Sequence, residues 1–221
     1  MKTLLNIVCS KQVKYSILFL FLLFLYITIS AFSYVDAVST DLANSVFRLH
    51  VIANSDSKED QDLKYIVRDN VLSYMNSLCR DAKSKAEAID IASKHQDEFK
   101  KIALDTIHEN GFNYDVSIEI GNFSFPTKTY GDISLPSGYY DALRIKIGNA
   151  RGQNWWCVMF PPLCFVDVSS GIVPDESKEV IKKDLSSEEF SLISNEDNSE
   201  ISFKFKLIEL FQNAKIMTAK N

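Results

Sequence analysis

Apolar and polar positions alternate along "VFRLHVIA", Val46 to Ala53: Phe47, Leu49 and Val51 share one face, Arg48 and His50 the other. That period of two predicts a strand with one buried face. "NSDS" ends it, with Ser55 or Asp56 placed to cap a helix and Glu59 and Asp60 suiting its positive N-terminal end. From about Lys58 to Cys79, Leu63, Ile66, Val67, Val71, Tyr74 and Leu78 recur at helical spacing. A capping box, Ser84 with Glu87, opens a second helix. Its stripe is Ala88, Ile91, Ala92, His95, Phe99, Ile102 and Ala103, and Gly111 terminates it. The short join predicts an antiparallel helical pair.

The period then returns to two. "YDVSIEIGNF" places Val116, Ile118 and Ile120 on one face, and "YYDALRIKIG" does the same with Leu143, Ile145 and Ile147. Pro and Gly in "SFPTKTYGDISLPSG" mark turns between them. "WWCVMF" reads as a strand buried on both sides. Residues 174–199, rich in Ser, Asp and Glu, read as a flexible linker, and "ISFKFKLIEL" opens a C-terminal strand and tail over 200–221. Strands around an uninterrupted helical pair predict an α+β fold: two long antiparallel helices packed on a mainly antiparallel sheet.

The start of the chain belongs to neither pattern. Lys2, Lys11 and Lys14 precede "YSILFLFLLFLYITISAFSYV", an uncharged run of 21 residues. Its apolar centre, Ile17 to Ile27, has the length of a signal-peptide core, and Ala31-Phe32-Ser33 or Val35-Asp36-Ala37 offers a small-residue cleavage site. As a helix the whole run spans about 30 Å, enough for a membrane anchor. Both readings, signal peptide or anchor over residues 1–37, place the lysines inside and the domain over 38–173 outside the cytoplasm. Residues 38–45 read as a connector.

Composition narrows the partners. The chain has 221 residues and a net charge of −5; residues 1–37 hold three lysines and Asp36, so the remainder carries 21 basic against 28 acidic residues. An acidic body with no clustered basic segment argues against nucleic acid. Outside the cytoplasm, Cys157 and Cys164, flanking Pro161-Pro162, can form a disulfide worth about 2.5 kcal/mol for so short a loop. Two buried free thiols are the alternative.

Catalytic chemistry is thin. The three histidines, His50, His95 and His108, lack the close paired spacing of a zinc site, and no metal or cofactor is expected. Cys157 with His50 is the best nucleophile–base pair, on the sole ground that both lie on predicted strands. Asp56, Asp60 and Asp62 read as a solvated first helical turn. These leave a secreted thiol or carboxylate hydrolase, or a wall- or membrane-associated binding module, as alternatives. Adjacent Trp155 and Trp156 point to opposite faces of a strand. One of them at an exposed edge stiffened by Pro161 and Pro162 would make a protein-binding hot spot; both in a buried corner would be core.

Three segments carry a resemblance. "RLHVIANSDSKEDQDLKYIVRD" (Arg48 to Asp69), "FPTKTYGDISLPSGYYDALRIKIGNARGQNWWCVMFPPLCF" (Phe125 to Phe165) and the helical block between them resemble the stage II sporulation protein R family of endospore-forming bacteria. The resemblance covers about residues 46 to 168. It implies a protein exported from the forespore into the space facing the mother cell. There it triggers a membrane-embedded, aspartic-type peptidase that removes the pro-sequence of sigma-E. The implied role is a signal ligand, not an enzyme, whose partner is the outward-facing part of that peptidase. No small-molecule substrate is implied, and the membrane is contacted through residues 1–37 if they are not cleaved. Candidate contacts are Trp155 and Trp156, with Cys157–Cys164 fixing the corner at Pro161 and Pro162. Arg48, Asn54, Ser55 and Asp56 form a second patch.

Overall fold

The computed structural model describes residues 11–80, 82–164 and 173–194. The chain divides into two units, Met1–Val38 and Ser39–Asn221. Helix α1 (Lys11–Ser45) begins in the first, and its stretch Lys11–Ser30 is long and apolar enough to cross a membrane. The segment expected to be a connector, residues 38–45, continues this helix. Leu42 accounts for that: it is buried in the body, and Ser45 Oγ donates back to its carbonyl at 2.9 Å.

In the second unit, β1 (Phe47–Ile52), β2 (Val116–Phe125), β5 (Gly138–Ile147) and β6 (Asn154–Phe160) form one sheet in the order β2-β5-β1-β6. β1 runs parallel to β5, while β2–β5 and β1–β6 are antiparallel, so the sheet is mainly antiparallel. A parallel neighbour needs a long crossover, and this one contains α2 (Lys58–Leu78), α3 (Lys85–Lys94) and α4 (Gln96–Glu109). A hairpin of β3 (Lys128–Tyr130) and β4 (Ile133–Leu135) stands apart from the sheet.

The fold is α+β, as the periodicity predicts, with the helical layer in three pieces instead of two. α2 keeps its expected span, capped by Ser57, whose Oγ accepts from the Asp60 amide at 3.2 Å. The cap thus sits one or two residues later than Ser55 or Asp56. Ser84 caps α3 by accepting from the Glu87 amide, and Glu87 reaches back to the Lys83 amide. The expected second helix then breaks at His95. Its Nδ1 meets the Tyr74 hydroxyl at 3.1 Å, and Gln96 Nε2 donates to the Ile118 carbonyl at 2.9 Å. These two contacts to other elements anchor a joint that a repeat along one helix cannot reveal.

Helices cover one face of the sheet. Phe47, Leu49, Val51, Ile145 and Cys157 pack there against Leu63, Val67, Phe99 and Ala103. The other face is covered in part by a second cluster, including Leu42, Ile133, Leu135, Tyr140, Val158, Ile181 and Leu185. α5 (Asp175–Asp184) supplies Ile181 and is followed by Leu185, and α6 (Ser187–Ile193) adds Ile193, where composition predicts a flexible linker. Ile181, Leu185 and Ile193 are sparse among polar neighbours but all buried, and Lys178 pairs with Asp132 at 2.5 Å. Average polarity hides a helix that is anchored by a few residues at the right spacing. The expected strand and tail at 200–221 lie outside the described residues.

Candidate functional site

The predicted contact residues fall into three places. Asn54, Ser55 and Asp56 leave the end of β1 and meet the loop joining β5 to β6. The Asn149 amide donates to Asn54 Oδ1 at 2.9 Å, and the Gln153 amide to Asp56 Oδ1 at 2.7 Å. Asn54 Nδ2 and Ser55 Oγ both donate to Asp60 Oδ2, at 2.8 and 2.5 Å. Burial alone would raise the Asp60 carboxyl, but the donors Ser55, Asn54 and Tyr114 outweigh it and hold Asp60 below its ordinary value. Two glycines permit the approach. A Cβ on Gly152 would lie 2.1 Å from the Ser55 carbonyl oxygen, and Gly148, at φ +53, would press one against Asn54. This network clamps two loops and sets the start of β6.

Trp155 and Trp156 emerge from that clamp, both half-buried. Trp155 faces the helices: it meets Tyr65 edge-on at 5.5 Å, and the Arg68 guanidinium lies 4.3 Å from its ring centre. Trp156 faces the other way, stacked on His50 at 5.6 Å, with Lys128 Nζ 4.9 Å from its ring centre. The indole nitrogens of both are buried without a hydrogen-bond partner among the described residues.

Pro161 and Pro162 lie at the far end of β6, roughly 20 Å along a strand of that length from the tryptophans. Pro161 is buried and Pro162 exposed, and both line a cavity of about 360 Å³ with Cys79, Met159 and Val180. The tryptophan pair and the proline corner are therefore separate places, not one stiff edge. Cys157 and Cys164 are joined in a disulfide with Cα atoms 5.2 Å apart. Cys79 is free, and burial, helped by Glu87, pushes its thiol up to about 11, away from a reactive thiolate.

Arg48 departs most from its expected place. It was expected on a solvated strand face with His50, yet it is fully buried. Its guanidinium lies 4.1 Å from the Phe125 ring centre and 4.7 Å from that of Tyr140, and donates to the Tyr130 hydroxyl at 2.8 Å. Tyr130 in turn donates to the Trp156 carbonyl at 3.2 Å. Aromatic faces take the place of a counter-ion. Nε and Nη1 of Arg48 have no acceptor among the described residues.

The proposed nucleophile–base pair is not assembled. Cys157 is oxidised and pairs across the sheet with Leu49, whereas His50 pairs with Trp156 on the opposite face. His50 Nε2 donates to Asn154 Oδ1 at 2.8 Å. Burial, together with the cations Arg144, Arg48 and Lys146 and against the Asn154 bond, holds the His50 pKa below its ordinary value. Among the described residues no cluster of three His, Cys, Asp or Glu side chains is placed to hold a metal ion.

Sheet register adds residues that periodicity left unmarked. Glu119, Arg144, His50 and Trp156 stand side by side across the four strands on the face away from the helices. Arg144 and Lys146 both pair with Glu119, Lys146 at 2.7 Å, and these bonds hold the Glu119 carboxyl below its usual range. Alternation that puts Leu143, Ile145 and Ile147 on one face leaves Arg144 and Lys146 on the other, but does not make them neighbours of His50.

A family model described as Stage II sporulation protein R (spore_II_R) matches residues 43–170. Among curated proteins, the Stage II sporulation protein R of Bacillus subtilis (strain 168) is 42% identical over 144 residues, covering 64% of this chain and 64% of that protein. The chain thus spans a little under two thirds of that relative's length. No solved structure matches it.

Proposed function

The chain belongs to the stage II sporulation protein R family, and from that premise we propose that it is an extracytoplasmic signal that activates a membrane-embedded peptidase. A sporulation role follows from the family. The apolar N-terminal helix is compatible with a signal or an anchor, and the Cys157–Cys164 disulfide fits a domain outside the cytoplasm. On the proposed reading the domain is exported from the forespore into the space between the two cells. There it engages the outward-facing part of an aspartic-type peptidase in the mother-cell membrane, which then processes the sigma-E precursor.

One observation supports a binding surface above the others. Two stretches of the segments that carry the family resemblance, "IANSD" and "NWWCV", meet at one end of the sheet, where the Asn54–Asp60 clamp holds the start of β6 and leaves both tryptophans half-buried. Rigid aromatic side chains on a braced strand suit a contact made at low entropic cost. Activation is differential binding: a ligand that prefers the active state of its partner shifts it from 1:99 to 99:1 with about 5.5 kcal/mol of preference.

The test is reconstitution in a non-sporulating bacterium. This chain, the membrane peptidase and the sigma-E precursor are co-expressed, and precursor shortening is followed by immunoblot. Processing with the exported chain, and none with a chain lacking residues 1–37, is the expected result. Absence of processing with all three proteins present and folded would sink the proposal. Sedimentation with purified cell wall would then favour the wall-binding alternative.

A further inference from the structure

We propose that the sheet face turned away from the helices, at the row Glu119–Arg144–His50–Trp156, docks an acidic segment of the partner protein, and that Trp156 rather than Trp155 is the aromatic contact. This rests on the reading of the domain as a protein-binding signal and names the chemistry of its partner.

Charge on this face is unbalanced. Arg144 and Lys146 share the single carboxylate of Glu119, with their side chains 25% and 31% exposed. Lys128, reaching over Trp156 from the β3–β4 hairpin, makes no ion pair among the described residues. Among the described residues the accessible cations Arg144, Lys146 and Lys128 thus outnumber the one carboxylate by two, on a body whose overall charge is negative. The cations beside Trp155 differ. Arg68 is paired with Asp69 at 2.7 Å, and buried Lys64 donates to Gln61 Oε1 and the Gln153 carbonyl.

Hydrogen-bond accounting points the same way. Among the described residues five buried side-chain atoms lack a partner, and four of them, Arg48 Nε and Nη1, His50 Nδ1 and Trp156 Nε1, belong to residues on this one face. Three of the four are N–H donors, so the deficit is in acceptors. Buried donors without acceptors are costly and rare in native proteins. Arg48 is fully buried, and its Nη2 is linked through the Tyr130 hydroxyl to the main chain of Trp156. A carboxylate arriving between the hairpin and β6 meets the cations Lys128 and Arg144, which are not enclosed as Arg48 is. Glutamate or aspartate on a protein segment, with an apolar residue against the Trp156 ring, matches both the cations and the aromatic.

The two tryptophans are the only ones in the chain, so their fluorescence reports this end of the sheet directly. The full chain in neutral detergent micelles is titrated with a short Glu-rich peptide, with a Lys-rich peptide of equal length, and with phosphatidylglycerol vesicles. In Trp155→Phe, which leaves Trp156 as sole reporter, the emission is expected to shift with the Glu-rich peptide and not with the Lys-rich one. Lys128→Glu should weaken that binding about fivefold, an effect of the size of one surface charge pair. Lys58→Glu, reversing an exposed charge on α2, should leave it unchanged. Circular dichroism checks that each variant folds. An equal response to the Lys-rich peptide, indifference to Lys128→Glu, or a shift confined to vesicles would overturn the proposal, the last in favour of a lipid surface. The co-expression assay separates the two levels. If the unaltered chain triggers processing and Lys128→Glu does so equally well, the docking face is wrong. If the unaltered chain triggers nothing, the signalling role fails and the peptide titration alone decides this surface.

Discussion

The two faces of the sheet, one residue apart along every strand, differ in almost every physical respect. On the helix side the row Ile118–Ile145–Val51–Trp155 crosses the four strands, and on the other the row Glu119–Arg144–His50–Trp156 does. The first is apolar apart from the Trp155 indole and is covered by α2 and α4. The second holds two charged residues, a buried imidazole and an indole nitrogen without an acceptor, and is covered mainly towards Arg48 and Tyr140. Burial of apolar area accounts for the first row apart from Trp155 Nε1, which also lacks an acceptor among the described residues. It does not account for the second, where burying polar groups costs stability unless partners arrive. The helix side is thus held by apolar packing alone, whereas the opposite side combines a second apolar cluster with a polar row, on which the proposed ligand would act.

The strongest challenge to that division is Phe99→Ala, which empties the helix side. It should cost about 4 kcal/mol, read as a drop in the urea midpoint, and should reduce signalling only as far as it unfolds the domain. Replacing both Cys157 and Cys164 by Ala should cost about 2.5 kcal/mol through the closed-loop entropy, without moving the tryptophan emission, because Tyr65, Arg68, His50 and Lys128 set the surroundings of the two rings. Asn54→Ala opens the clamp and leaves Asp60 and the Asn149 amide short of partners. It should cost about 2 kcal/mol and, unlike the disulfide change, shift the emission of both tryptophans. Arg48→Met replaces a buried charge by an apolar chain of similar length and should change stability by no more than about 1 kcal/mol. A loss of several kcal/mol there would show that the aromatic cage stabilises the domain, and would remove Arg48 from the functional side of the comparison.

The smallest effect is the pH response of His50. Its folded pKa lies below its ordinary value of 6.5, lowered by burial and by Arg144, Arg48 and Lys146. A depressed histidine favours the neutral form, so stability is full above the unfolded pKa and falls as the pH drops through it towards the lower folded value. His50→Gln should remove this slope between neutral and mildly acid pH. The steeper loss that comes with protonating Asp60 lies well below that window, because its carboxyl is held under its ordinary 3.8. Denaturant midpoints measured across the pH range for the two chains check the assignment.

Local patterns located most of the elements. α2, the capped start of α3 and all four strands of the sheet lie where periodicity put them, because whether side chains repeat every two or every 3.6 positions follows from the backbone of a single segment. The same patterns marked Trp155 and Trp156 as facing opposite ways, and put Cys157 near enough to Cys164 to bond. They failed where distant residues decide. Leu42 drew residues 38–45 into a helix, and Ile181 and Leu185 anchored a stretch whose composition reads as linker. His95 and Gln96 met partners on other elements and split a continuous stripe. The candidate site divides along the same line. That Arg48 and His50 share a face is a property of one strand. That the face is a row with Glu119, Arg144 and Trp156, that Arg48 is sealed among Phe125, Tyr130 and Tyr140, and that the prolines lie a strand's length from the tryptophans are properties of register and cover. Alternation is set by bonds between neighbours in the chain, whereas register is selected by packing and pairing among residues about a hundred positions apart, and no single segment contains that energy.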